Sequence, residues 1–154
     1  ATGCCSRQGF WMSRVACQPH VSVAEMTGAV DQTLRLWRRT VFQWGTTDCC
    51  LSAADYVLLV TGSDPVPEFR NVYDSETEAA RLVENAGRLV ALLDSRELLL
   101  RARWPDRGDL VVIWTGAEQV VGLCTGQGAA FRLPRGVKET DLRFLTVIAC
   151  WKVM

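Results

Sequence analysis

The segment QWGTTDCCLSAADYVLLVTG, residues 43–62, sets an acidic residue and two adjacent cysteines at the mouth of an almost wholly apolar run. Its pattern predicts a helix that starts near Asp48, runs to about Val60 and stops at Gly62. Cys50, Leu51, Ala53, Ala54, Tyr56, Val57, Leu58, Leu59 and Val60 leave only Ser52 and Asp55 polar, so this helix is expected to be buried on nearly every side and to form the centre of the fold. Whether either thiol is a nucleophile, or both are small hydrophobes at the head of a buried helix, depends on what surrounds them.

Upstream, Val30, Leu34 and Trp37 recur at helical spacing from Met26 onward, with Asp31, Arg35, Arg38 and Arg39 on a solvated opposite face. Residues 1–25 lack periodicity and read as an arm that contacts a neighbour, leaving one domain over 26–154. Cys4, Cys5, Cys17 and His20 of the arm offer four zinc ligands, but paired CxxC spacing is missing, so no metal or cofactor is expected. Downstream, Asp64, Pro65 and Pro67 break the chain, and YDSETEAARLVENAG opens a third helix through a Ser75–Glu78 capping box and closes it at Gly87. A further helical stretch carries Leu89, Leu92 and Leu93, and Pro105 with Gly108 marks a turn. After that turn the period becomes that of strands: LVVIW (110–114), QVVGLC (119–124), AAFRL (129–133) and FLTVIACWKV (144–153) suit an antiparallel meander. The expectation is an α+β fold, helices first and strands after.

Composition narrows the function. Hydrophobic residues make up 49% and charged residues 22% of 154, and no apolar run reaches the roughly 18 residues of a membrane-spanning helix. Seventeen basic residues balance 17 acidic ones, so no global field draws in nucleic acid. Seven cysteines, odd in number and irregularly spaced, are expected to be reduced thiols. No secretory-type opening is seen, which predicts synthesis in a cytoplasm.

Cys49 falls where a helix N-terminus favours a thiolate, and its first-turn amide is free to face a developing oxyanion. Cys50, about 100° around the helix, is expected to join the core. The plainer alternative is that both pack as small apolar residues. A cysteine nucleophile normally takes histidine as its base, and His20, in the arm, is the chain's single histidine.

Four stretches carry a resemblance: FQWGTTDCCLSAADYVLLVTGSDP (42–65), RNVYDSETEAARLV (70–83), RGDLVVIW (107–114) and VVGLCTGQGAAFRLP (120–134). With its W-G-x-x-D-C and R-G-D-L elements, the chain resembles the papain-like cysteine peptidases of the NlpC type, and most closely the small members encoded among phage tail and gene-transfer-agent tail genes. The resemblance covers about residues 30–153. It implies a papain-like fold with a buried central helix packed on a C-terminal antiparallel sheet, and it puts Cys49, directly after Asp48, at the nucleophile's place. The family's base histidine would fall at Val120 and its orienting residue near Arg132; neither side chain accepts a proton. Glu118 and Gln119 lie close by, but glutamine is no base and Glu118 falls in the turn before the strand. What the resemblance implies is therefore a virion tail or tail-tip component, assembled in the host cytoplasm, with other tail proteins as partners through the arm and the domain surface and no peptidase activity. The alternative is an active amidase or endopeptidase that cuts peptidoglycan stem peptides through Cys49. A small regulator with no virion context is a third reading.

Overall fold

The computed structural model describes residues 22–154. Cys4, Cys5, Cys17 and His20, and with them the expected arm and its weighed zinc set, lie outside the described residues. Among the described residues, four α-helices precede a six-stranded antiparallel sheet: α1 Val23–Arg39, α2 Cys49–Thr61, α3 Glu76–Asn85, α4 Arg88–Asp94, then β1 Leu99–Ala102, β2 Leu110–Trp114, β3 Gln119–Cys124, β4 Gly128–Leu133, β5 Gly136–Asp141 and β6 Thr146–Val153. The α+β layout expected from the sequence is therefore present. No helix among the described residues is long and apolar enough to cross a membrane.

Helix α1 begins three residues before Met26. Ser22 accepts from the Glu25 amide at 3.2 Å and Glu25 accepts from the Ser22 amide at 2.7 Å, a reciprocal capping box that draws Val23, Ala24 and Glu25 into the helix and moves the arm's expected boundary at 25 back. Val30, Leu34 and Trp37 are its buried stripe, as their spacing predicts.

Helix α2 is capped by Asp48 and stopped by Gly62 in the left-handed conformation. Its first turns bury Leu51, Ser52, Ala53, Ala54, Tyr56 and Val57, but Leu58 and Leu59 are 40% and 47% exposed, so burial on nearly every side fails in the last turn. Two arginines fasten the loop that follows. Arg70 joins Asp55 at 2.6 Å to Asp64 at 2.8 Å, and Arg96 reaches Glu68 at 2.6 Å while its guanidinium lies 5.9 Å from the Phe69 ring centroid.

The sheet order is β1-β6-β2-β3-β4-β5. Strands β2, β3 and β4 follow one another as the meander predicts, but β6, expected beside β4, inserts between β1 and β2, and the place beside β4 is taken by β5. Opposite β2 its register steps from Val112↔Ala149 to Ile113↔Val147, which leaves Ile148 as a bulged residue. Leu110, Val112, Val121, Leu123, Ala130 and Trp151 pack with α1, α2 and α4 in the main core. On the opposite face Val111, Ile113, Val120, Ala129 and Phe131 form a second apolar cluster against Leu142 and Leu145. Two apolar faces explain why β2 reads as a continuous hydrophobic run rather than an alternating one.

Residues Arg107, Gly108 and Asp109 join these layers. Arg107 donates to the Thr125 carbonyl at 2.7 Å and to Asp31 of α1 at 2.7 Å. Gly108 accepts from the buried Tyr56 hydroxyl at 2.9 Å, and a Cβ there would meet that hydroxyl at the same 2.9 Å, so only glycine fits. Buried Asp109 accepts from the Asp106 amide at 2.8 Å.

Candidate functional site

The segment before α2 is shaped to present Cys49. Gly45 has φ of +83°, and a Cβ on it would collide with the Tyr73 carbonyl, so the position requires glycine. The Gly45 amide donates to Asp48 Oδ2 at 2.8 Å, the Leu51 amide donates to Oδ1 at 3.0 Å, and the Tyr73 hydroxyl donates to Oδ2 at 2.5 Å. Asp48, 1% exposed, is thus a structural carboxylate with three neutral donors. Burial, reinforced by the adjoining carboxylate, pushes the Tyr73 phenol well above its ordinary value.

Cys49 and Cys50 follow as the first two residues of α2. Both are half-buried, and their sulfurs lie 3.9 Å apart. Cys50 does pack against the main core as its helical angle predicts, yet it also shares a surface groove with Cys49. The neighbouring Cys49 sulfur, followed by burial, pushes the Cys50 thiol well above its ordinary value, so Cys50 stays protonated at neutral pH.

The groove holds about 340 Å³ and runs between α3 and the ends of β3 and β4. Val120 of β3 and Arg132 of β4, on neighbouring strands, both line it together with Cys49. Val120 is 6% exposed and sits in the apolar cluster against which Cys49 packs. Arg132 is 3% exposed, and its guanidinium donates to the Trp37 carbonyl at 2.6 Å and to the Thr40 carbonyl, at the C-terminal end of α1. There the guanidinium meets carbonyls that the helix leaves unpaired and the negative end of its dipole. Burial lowers the affinity of Arg132 for its proton, but a guanidinium is not a base in a protein. Glu118 and Gln119 also line the groove; Glu118 is exposed, in the turn where Thr115 Oγ1 accepts from its amide at 3.1 Å.

A model of the family described as Domain of unknown function (DUF6950) matches residues 23–153. The chain belongs to that DUF6950 family. The match starts at the first residue of α1 and ends at the last residue of β6, so the family domain and the described fold coincide. No curated protein and no solved structure matches the chain.

Of the residues singled out in the sequence, Cys49, Val120 and Arg132 line one groove and Asp48 caps α2. Sequence reasoning missed Tyr73, whose hydroxyl meets Asp48 from 25 residues away, and the pairing of the two sulfurs. Tyrosine at 73 sat inside the stretch that opens α3, where nothing in the local pattern signals a partner. Adjacent side chains on a helix normally diverge, so the sulfur contact has no signal in spacing.

Proposed function

We propose that this DUF6950 protein is a structural component of a phage tail or tail tip, with an NlpC-type papain-like fold that has lost its peptidase chemistry. The observation that supports this most is the groove beside Cys49. At the two strand positions where the family resemblance expects a base and its orienting residue stand Val120, in an apolar cluster, and Arg132, whose guanidinium is engaged by the carbonyls ending α1. General-base assistance is worth about 10² to 10⁴ in rate, so a cysteine without it is a poor hydrolase. Neighbouring tail subunits would be met through the N-terminal residues and the domain surface.

The second reading, an amidase acting on peptidoglycan stem peptides, is favoured by one observation: the Glu118 carboxylate lines the same groove as the Cys49 sulfur. One experiment separates the two. Purified peptidoglycan incubated with the full chain and with Cys49→Ala should release no new amine termini above buffer from either, and the protein should cosediment with assembled tails. Release by the unaltered chain that disappears in Cys49→Ala and in Glu118→Gln would establish the hydrolase instead.

A further inference from the structure

The two sulfurs at the head of α2 have a geometry that neither a scaffold nor a peptidase requires. Free cysteines in a core normally bury their sulfur away from other thiols, as Cys124 and Cys150 do, each buried with its thiol donating to a backbone carbonyl, of Gly126 and Ala102. Cys49 and Cys50 instead bring Sγ to within 3.9 Å of Sγ and open onto the same groove. Two thiolates bound through bonds of about 2.3 Å to one three-coordinate ion lie about 4.0 Å apart at the trigonal angle. We propose that Cys49 and Cys50 form a dithiolate site for a soft, thiophilic metal ion of low coordination number, of which Cu(I) is the type.

The ligand set fixes the class of ion. One ligand atom each from Asp48, Cys49 and Cys50 falls within 4.8 Å of the others. The Asp48 oxygens already accept from two amides and a phenol, which leaves the two sulfurs as the donors at hand. Calcium and magnesium need six or more oxygens, and a structural zinc site needs four protein ligands, so neither is served. Thiolates in small number suit Cu(I). Charge points the same way: a dithiolate would stand beside the Asp48 carboxylate, and among the described residues no Lys or Arg forms a salt bridge with Asp48, so a bound cation would supply the missing positive charge. Each metal–sulfur bond forms as a thiol proton leaves to solvent, with no change in oxidation state.

This inference is independent of whether the protein is a tail component. The test uses the full chain with Cys4, Cys5 and Cys17 changed to Ser, titrated anaerobically with Cu(I) held by a competing chelator. The expected result is one Cu(I) per chain, with Cys49→Ser and Cys50→Ser each weakening uptake by about 100-fold or more. Equal uptake by the double Ser variant, or none by the parent, overturns the site. Should a Ser variant fail to fold, the unaltered chain answers directly: Cu(I) should protect both thiols of the peptide spanning residues 43–62 from iodoacetamide. Alkylation of both at the metal-free rate overturns the proposal.

Discussion

Both tyrosines of the chain are held in positions that resist ionisation. Tyr56 is fully buried and donates to the Gly108 carbonyl; Tyr73 donates to Asp48; burial is the leading cause that raises each phenol above its ordinary value. Below the unfolded value of about 10 both states keep the proton and the full stability is present. Above it the unfolded chain ionises while the folded one does not, so stability falls as pH rises. A tyrosinate absorbance titration at 295 nm should therefore show no signal near pH 10, then a step that coincides with loss of helical circular dichroism. Tyr56→Phe, which leaves the Gly108 carbonyl without its donor, should cost about 1–2 kcal/mol at neutral pH and reduce the alkaline slope. Arg132 teaches a different lesson at this scale. Its place beside Cys49 was legible from the motif, but its engagement was not, because the carbonyl it meets belongs to Trp37, 95 residues earlier.

Among the four α-helices, α3 is the least anchored. It buries no residue completely, whereas α2 buries six of its thirteen, and Ala79, Ala80 and Val83 of α3 line one wall of the cysteine groove. Few buried contacts mean low local stability. Native-state hydrogen exchange should find the α3 amides opening well before those of α2, at free energies below the global value; equal protection of the two helices would show that the wall is rigid. Helix starts and stops were largely readable from capping residues, as at Ser75 and Gly62. The Ser22 cap escaped because the pair Ser22 and Glu25 precedes the apolar stripe by a full turn. Strand β1, LLRA, was hidden by its continuity with the leucines of α4. Strand β5, GVKETD, was hidden for another reason: it is an edge strand with charged residues in place of an apolar alternation.

For the molecule as a whole, the decisive feature is the place of β6 between β1 and β2. Periodicity identifies a strand but carries no information about which neighbour it takes, so the layers were legible and the strand order was not. Trp151, with no exposed surface, closes the main core from this strand, and its indole donates to Asp94 at 2.9 Å. Removal of residues 146–154 should therefore abolish the cooperative urea transition rather than shift its midpoint; a truncated chain that still unfolds cooperatively would show that the helices and β2–β5 suffice. The same placement has a consequence during synthesis. The ribosome delivers β1 and β2 long before the strand that joins them, so until Val153 leaves the exit tunnel each offers an unpaired edge and uncovered apolar side chains to anything nearby. Completion of this domain is thus tied to translation of its final strand, and a stalled nascent chain lacking it is a natural client for chaperones.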